Sequence, residues 1–321
     1  MGRCNCFGML SERAVITAVA FLVGTVAPVR AAEVAPKDYD QGSDTLGTPE
    51  PEAEATGPNR GRVSLTVGND ITTAYFFRGI LQERNGFIYE PYAELSINLF
   101  KGDGPVSSVD AGMGLWFSLQ TNKTGFDGSG PSNLYETDYY PSLSVAWSPG
   151  VTTSLTYLVY TSPNGAFVTT QQLDLGLAYD DSELLGPLAI GPTATFSFEV
   201  DNTSFGNKEG GYFELAGAPS VGLTLPFDDA GTYPLTASFP LALGLSMYDY
   251  YESVAPTHDQ TFGFFSFGTN AGIPLAFIPE DFGTWTASVG INVLVLSQTL
   301  KQVNHGDNPY PVGTFSLGMQ Y

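Results

Sequence analysis

The strongest constraint on the fold is a two-residue alternation of apolar and polar side chains, which begins at Arg62 and continues to the end of the chain. In the stretch 87–99, apolar residues occupy most odd positions, whereas Glu90, Glu94 and Asn98 occupy even ones. Successive side chains of a β-strand point to opposite faces, so this period indicates strands with one apolar and one polar face. Segments of about ten residues with this pattern are typical of strands that cross a membrane in a β-barrel.

The pattern predicts an all-β fold, a transmembrane antiparallel up-and-down β-barrel of about twelve strands. The predicted strands are 63–80, 87–100, 109–121, 135–148, 151–161, 170–180, 189–200, 211–225, 235–248, 261–275, 284–296 and 310–321. An even number of strands returns both termini to the same side of the membrane. Four prolines inside these segments cannot donate ladder hydrogen bonds, so each predicts a bulge or a strand boundary: Pro192, Pro219, Pro240 and Pro274.

Aromatic residues concentrate near the two ends of the predicted strands. With the N-terminus placed below, the upper ends carry Tyr75, Phe76, Phe77, Tyr89, Tyr139, Tyr140, Tyr160, Tyr212, Phe213, Tyr248, Phe262, Phe264 and Tyr310. The lower ends carry Phe100, Trp147, Tyr179, Trp285 and Tyr321. Rings with an apolar body and a polar edge favour membrane interfaces, so the pattern predicts two aromatic belts.

Composition agrees with a wall that faces lipid. Charged residues make up only 14% of the chain, against about 25% in a typical soluble protein. No stretch after residue 40 approaches 18 consecutive apolar residues, so the sequence predicts no membrane-spanning helix in the mature chain. The net charge of −21 argues against nucleic acid as a partner, because phosphate binding requires clustered Lys and Arg.

The N-terminal 31 residues resemble an export signal. Arg3 and Arg13 precede the apolar run 14–27, and residues 29–31 form a small-x-small cleavage site. We therefore predict a signal peptide over 1–31, a disordered acidic Pro-rich leader over 32–61 and an outer-membrane β-barrel over 62–321. Two alternatives stay open, a single membrane anchor for the apolar run and a plug inside the barrel for the leader.

Cysteine is confined to the predicted signal peptide. Cys4 and Cys6 precede the apolar run, whereas a lipoprotein anchor requires a cysteine just after it. Cleavage would leave a mature chain without cysteine, so the sequence predicts no disulfide and no thiol chemistry.

The last twelve residues form a terminal strand of a distinctive kind. Phe315, Leu317, Met319 and Tyr321 alternate with polar or small residues, and the printed sequence stops at the aromatic ring. This strand resembles the closing strand of bacterial outer-membrane β-barrels, which is also the signal for the insertion machinery. The resemblance implies a location in the bacterial outer membrane, with outer-membrane lipid and the barrel-insertion machinery as partners. A soluble β-protein with this ending is the alternative.

Alternation places nine charged side chains on the inward face of the predicted barrel. These predicted lumen-lining residues are Asp70, Arg78, Glu90, Glu94, Asp110, Asp138, Asp174, Glu199 and Glu214. Eight acids and one base would attract cations and repel anions. They could equally be solvated wall residues without selectivity, and Arg78 could pair with Glu90 or Glu94 to brace the wall. Small inward residues would leave a bore that Tyr92, Trp116 and Tyr160 narrow.

Enzyme function has little support in the sequence. Outer-membrane phospholipases use a His and a Ser that lie close together, whereas His258 and His305 lie in predicted surface loops without a Ser at a neighbouring spacing. We predict no catalytic residue, no metal site and no cofactor. The Asp and Asn residues of loop 297–309 could hold a divalent cation weakly, although a solvated loop is the favoured interpretation.

The first strand carries a family resemblance. Residues 65–84, which include Tyr75-Phe76-Phe77-Arg78-Gly79-Ile80 and Gln82, resemble the TorF-like family of outer-membrane porins. Residues 69–74 depart from that family's Ser-Asp-Tyr run. The resemblance implies a barrel more than it implies any particular solute.

These observations together predict a porin-like channel for passive diffusion of small hydrophilic solutes, with an acidic lumen that favours cations. The alternative is a closed structural or adhesin-type barrel that acts through its surface loops. A lipid-modifying outer-membrane enzyme is the third possibility.

Overall fold

The structure, a computed structural model, describes residues 61–125, 130–206, 208–227, 231–252 and 260–321, without the side chains of 225–227 and 231–233. The predicted signal peptide and all but Gly61 of the predicted leader lie outside the described residues, so both stay predictions. Within the described ranges the strands are β1 Val63–Thr72, β2 Tyr75–Phe77, β3 Ile80–Glu83, β4 Ile88–Lys101, β5 Val106–Gln120, β6 Leu134–Trp147, β7 Val151–Thr161, β8 Thr170–Tyr179, β9 Thr193–Asp201, β10 Gly211–Gly217, β11 Ser220–Phe227, β12 Gly231–Ser238, β13 Leu241–Tyr248, β14 Phe262–Pro274, β15 Thr284–Leu296 and β16 Tyr310–Gln320.

Among the described residues, helical structure is confined to short connections. These are the α-helices α1 Ser182–Leu185 and α2 Gln298–Val303 and the 3-10 turns Gly186–Leu188 and Glu280–Phe282. Over the described part of the chain, no helix has the length and apolar character needed to cross a membrane.

Twelve of the described strands close into one antiparallel ring. Its order is β1, β4, β5, β6, β7, β8, β9, β10, β13, β14, β15 and β16, and β16 returns to β1. The closing pair places Val67 opposite Met319, and the backbone N–H groups of Leu65 and Tyr321 each donate to the other's carbonyl at 2.8 Å. The predicted twelve-strand antiparallel barrel is therefore confirmed.

The two faces of the wall differ as the alternation predicts. The outer face carries exposed apolar side chains along the whole ring, among them Leu95, Met113, Leu143, Leu155, Leu175, Phe196, Leu215, Phe267 and Val289. The side chains between them face the interior, where Gly, Ser, Thr and acidic residues predominate. A ring closed in this way has no free strand edge, which removes the main route to edge-to-edge aggregation.

Prolines divide or end the strands at the positions that the sequence indicates. The predicted strands 211–225 and 235–248 are interrupted at Pro219 and Pro240, which separate β10 from β11 and β12 from β13. β11 and β12 form a hairpin that continues past the ring on the side where β1 begins, attached to β14 through residues 236–238. Pro192 precedes β9 and Pro274 ends β14, so these two prolines mark boundaries.

The prediction of one continuous strand over 63–80 is wrong. β1 ends at Thr72, and residues 73–87 leave the wall as a separate two-stranded unit of β2 and β3, which we call the inner hairpin. Four of its large apolar side chains are at most 4% exposed: Tyr75, Phe76, Phe77 and Ile80. Its turn uses two left-handed residues, Arg78 with φ 46° and Gly79 with φ 81°. Three consecutive aromatic residues cannot alternate between lipid and water, so this segment folds inside the barrel instead.

The inner hairpin divides the barrel interior into two halves. On the interior face of β5, Ser108 and Asp110 are partly accessible, whereas Ser118 and Gln120 are 0% and 2% exposed. The same change occurs on most other strands of the ring, although the interior residues of β13 are buried throughout. The half away from Gly61 and Tyr321 is therefore filled, and we call it the plugged half. The other half, which we call the vestibule, stays accessible and is lined by small residues that include Gly112, Ser144, Ser154, Gly176 and Ser288.

Candidate functional site in the barrel interior

Arg78 lies at the turn of the inner hairpin with its guanidinium group buried. Nη1 donates to Oε1 of Gln172 at 2.8 Å and to the hydroxyl of Tyr250 at 3.0 Å. Nη2 donates to Oγ of Ser197 at 2.9 Å and lies 3.9 Å from Oδ2 of Asp174. The hypothesis that Arg78 pairs with Glu90 or Glu94 is therefore wrong, because the turn carries it across the barrel to β8 rather than along the wall.

Aromatic rings complete the surroundings of this guanidinium group. Its central carbon lies 4.1 Å from the ring centroid of Tyr212, 4.8 Å from that of Phe77 and 5.3 Å from that of Tyr250. Burial raises the pKa of the Tyr250 hydroxyl, so this group stays neutral and available as a hydrogen-bond partner. We call the wall and loop residues around this group the guanidinium cage, which consists of Gln172, Asp174, Ser197, Tyr212 and Tyr250.

Polar contacts also hold the rest of the inner hairpin to the wall. The hydroxyl of Tyr75 donates to Oε2 of Glu136 at 2.7 Å, and the hydroxyl of Tyr135 donates to Oε1 of Gln82 at 2.9 Å. Both wall residues belong to β6. Thr124, in the loop after β5, donates to the carboxylate of Glu83.

Three further hydrogen bonds come from the loops on the opposite side. The hydroxyl of Tyr251 donates to the carbonyl of Arg78 at 2.8 Å. Asn304, fully buried after α2, donates to the carbonyl of Gly79 at 2.6 Å and accepts from the N–H of Leu81 at 2.9 Å. The hairpin backbone is thus satisfied by side chains from several parts of the ring, as burial of polar groups requires.

The hairpin is a stably docked element. Each of its four buried apolar side chains contributes on the order of 1.5–3 kcal/mol through removal from water. Each polar contact contributes roughly 0.5–1.5 kcal/mol, and a broken one would leave a buried group unsatisfied. Withdrawal of the hairpin is therefore a discrete conformational change, and thermal fluctuation alone populates it rarely.

A second group of side chains, mostly acidic, lies beside Tyr75. Register places Asp70 opposite Glu90 and Ser118 opposite Glu136 on the interior face. Glu90, Glu136 and Asp138 each have one buried carboxylate oxygen without a hydrogen-bond partner. The sequence prediction missed Glu136, although its two-residue spacing from Asp138 places both on the same face of β6.

The remaining predicted acids have local partners. Glu94 accepts from the hydroxyl of Tyr140 at 3.1 Å, and Glu214 accepts from the hydroxyl of Tyr212 at 2.5 Å. Both acids are partly accessible from the vestibule. Asp110 accepts from Asn98 at 2.8 Å near the lower end of β5.

Glu199 has a different role from the other acids. It is 7% exposed and accepts from the backbone N–H of Gly210 at 2.8 Å and from that of Ser204 at 2.5 Å. It therefore stabilises the loop between β9 and β10.

The predicted aromatic belts are partly wrong. Six of the residues assigned to the upper belt are buried inside the barrel: Tyr75, Phe76, Phe77, Tyr160, Tyr212 and Phe264. Their even positions on the wall strands, or their place in the inner hairpin, direct them to the interior. Exposed aromatic residues do occur at both ends of the outer face, including Tyr139 and Tyr248 above and Phe100, Trp147 and Tyr321 below.

The C-terminal strand seals the ring with its alternating apolar residues. Phe315 and Tyr321 are exposed on the outer face, and Leu317 and Met319 are partly exposed. Its role as the signal for insertion stays a prediction.

The described part of the chain places no histidine in a reactive arrangement. His305 is exposed in the loop after α2, and His258 lies outside the described residues. Where side chains are described, no group of three or more His, Cys, Asp or Glu could hold a metal ion. The solvated-loop interpretation of 297–309 needs correction, because Asn304 is buried against the inner hairpin and Asn308 bonds both backbone groups of Leu296.

Comparison with known proteins finds similarity only at the level of solved structures. No family model matches the chain, and no curated protein matches it. The similar structures include the NanC porin, at 11% identity over 80% of this chain and 98% of that chain, with a TM-score of 0.38. They also include an outer-membrane channel from Pseudomonas putida F1, at 11% identity, coverage of 86% and 100%, and a TM-score of 0.42.

A third similar structure is the β domain of the Bordetella autotransporter BrkA, at 10% identity, coverage of 81% and 98%, and a TM-score of 0.41. Because these TM-scores are below 0.5, the barrel assignment rests on the closed strand ring of this chain itself. The resemblance to the TorF-like family stays a prediction. Within the described residues, the arrangement is a barrel with a vestibule that contains accessible acids in one half and a docked hairpin in the other.

Proposed function

We propose that this chain is an outer-membrane channel for small hydrophilic solutes, and that the inner hairpin keeps it closed. The continuous apolar outer face supports a position in lipid, because a polar wall would be costly there. Outer-membrane lipid and the barrel-insertion machinery are the corresponding partners, and nucleic acid is excluded from the proposal by the charge of −21.

The proposal depends on one observation, which is the set of residues that fills the barrel interior. In the vestibule the wall presents mainly small residues to the interior, such as Gly112, Ser154 and Gly176, and these do not fill it. The plugged half is filled by a separate segment, residues 73–87, packed against large wall and loop side chains such as Tyr212 and Tyr251. A barrel built only for rigidity can fill its interior with wall side chains, whereas a removable segment leaves a bore when it moves.

The proposed channel prefers cations. Within the described residues, Arg78 is the only base placed in the interior, and its charge is already opposed by Asp174. Asp70, Glu94 and Glu214 stay partly accessible from the vestibule. A lumen lined by acids raises the local concentration of cations and lowers that of anions.

Liposome swelling with a short-loop variant tests this proposal. Thr72 and Ile88 are directly paired, so an Asn-Gly turn can replace residues 73–87 without strain in the wall. We expect sugars to enter liposomes that contain the folded short-loop variant and to be excluded, or to enter much more slowly, with the wild-type protein. A folded short-loop barrel that excludes sugars would contradict the proposal.

A second candidate function has a specific observation in its favour. The hairpin is held by buried contacts around the ring, so a permanently closed structural or adhesin-type barrel is also consistent with its docking. This candidate predicts that no physiological condition opens the wild-type protein. Single-channel recording of the wild type distinguishes the two, because the proposed channel shows rare openings and the closed barrel shows none. An enzymatic role is not part of either proposal.

A further inference from the structure

We infer that the guanidinium cage is a binding site for the guanidinium group of a solute, and that Arg78 occupies this site in the closed state. The inference rests on the proposed function only in that a natural solute must enter the barrel to reach the cage. Arg78 then acts as an internal ligand that a solute of the same chemistry displaces.

The cage belongs to the wall and the loops, so it persists when the hairpin moves. Gln172 and Asp174 lie on β8, and Ser197 lies on β9. Tyr212 lies on β10 and Tyr250 follows β13. None of the five residues belongs to segment 73–87. Withdrawal of Arg78 would therefore leave three neutral acceptors, one carboxylate and one ring face without their partner.

The geometry fits a guanidinium group better than an ammonium group. One terminal nitrogen of Arg78 donates to two acceptors and the other donates to a third beside a carboxylate, while the flat face lies 4.1 Å from the centroid of Tyr212. A guanidinium group has planar, forked donors and can stack on a ring. An ammonium group is a compact, strongly hydrated charge without a planar fork, so it matches these acceptors and the ring less well.

Neighbouring contacts hold the cage in shape. Nε2 of Gln172 donates to Oδ1 of Asp174 at 2.5 Å, which leaves Oε1 of Gln172 directed at the ligand. The hydroxyl of Tyr212 donates to Glu214 at 2.5 Å, which fixes the orientation of the ring. A site ordered in advance loses less conformational freedom on binding.

The cage is placed where a solute from the vestibule would meet it. The side chain of Asp174 is 16% exposed, whereas that of Arg78 is 7% exposed. The next inward residue toward the chain termini on β8 is Gly176, which belongs to the vestibule. The carboxylate therefore lies at the border between the two halves of the interior.

The test uses Arg78→Gly in the full chain, purified in detergent micelles. Glycine accepts the left-handed backbone at this position, where φ is 46°, and so vacates the cage without backbone strain. Calorimetry with guanidinium chloride up to about 50 mM stays far below the molar range in which it denatures proteins. Sodium chloride and methylammonium chloride at matched ionic strength are the control ligands, and the wild type and Arg78→Gly/Asp174→Asn are the control proteins.

We expect one saturable site in Arg78→Gly, which binds guanidinium at least about tenfold more tightly than the double variant or the wild type does. In Arg78→Gly, methylammonium should bind about tenfold more weakly than guanidinium. If the heats of guanidinium titration are equal for all three proteins and show no saturation, the inference is overturned. If Arg78→Gly fails to fold, the same titration is made on the short-loop variant, where absence of a saturable site also overturns it. Calorimetry detects binding whether or not the barrel conducts, so failure of the swelling assay and failure of this inference are distinguishable.

Discussion

Nη2 of Arg78, on the inner hairpin, lies 3.9 Å from Oδ2 of Asp174, on the wall strand β8. Both side chains are largely removed from water, so their charges interact in a medium of low effective dielectric constant. The pair joins the inner hairpin to the barrel wall. It is one of several contacts that hold the inner hairpin in the plugged half.

Arg78→Lys should loosen the hairpin while keeping the positive charge. Lysine cannot reach Gln172 and Ser197 with the same fork, so buried acceptors lose their donors. We expect the free energy of unfolding to fall by about 1–3 kcal/mol in urea titrations of the refolded protein in detergent. Arg84→Lys is the matched control, because Arg84 pairs with Asp307 at the surface, where such a change costs about 0–1 kcal/mol. Equal losses for both variants would contradict the role of the cage.

Gly114→Ala should distort the vestibule wall. A methyl group at this position would overlap the ring of Tyr140, whose hydroxyl donates to Glu94. We expect a loss of about 1–3 kcal/mol in unfolding free energy, as for other overpacked sites. Gly222→Ala is the control, because no atom lies within 4 Å of the added methyl group. A second change, Tyr140→Ala, should remove most of the effect of Gly114→Ala, and persistence of the full loss would show that the ring is not its cause.

Leu175→Arg should reveal whether the outer face lies in lipid. Leu175 is exposed in the middle of β8, where an arginine in the bilayer would cost about 2–4 kcal/mol. Val200→Arg, near the upper end of β9, should cost only about 0–1 kcal/mol. Folding free energies in lipid vesicles measure both changes. Equal and small costs would contradict a membrane-embedded wall.

Neutralising the vestibule acids should reduce the cation preference of an open barrel. In the short-loop variant, we expect Asp70→Asn with Glu94→Gln and Glu214→Gln to shift the reversal potential in a salt gradient toward zero. Asp201→Asn, at the exposed upper end of β9, should leave it nearly unchanged because bulk solvent screens that charge. An anion-selective short-loop channel before any acid is changed would contradict the proposed preference.

The wall was predictable from the sequence because alternation is a local property of each strand. The outer and inner sets on β5 and β8 follow directly from the period of two, and Pro219 and Pro240 interrupt strands as the missing N–H requires. The inner hairpin does not follow from alternation, which predicts one continuous strand over residues 63–80. Its signal was present in Tyr75-Phe76-Phe77, where three successive rings break the alternation just before the turn at Arg78 and Gly79.

The candidate site was less predictable, because it depends on contacts across the barrel. Alternation placed Asp174 on the interior face but could not show that Arg78 reaches it from another part of the ring. Tyr250 and Asn304 follow no periodic pattern, since both lie in loops between strands.

Labelling of single cysteines tests the central claim of a barrel with one open and one plugged half most directly. In a background with Cys4 and Cys6 replaced by serine, Ser144→Cys lies in the vestibule and Ser118→Cys lies behind the inner hairpin at 0% exposure. With a small, charged maleimide added to detergent-solubilised protein, we expect rapid labelling at position 144 and almost none at 118, with fast labelling at 118 in the short-loop variant. Equal labelling of both positions in the chain with its inner hairpin intact would contradict the account.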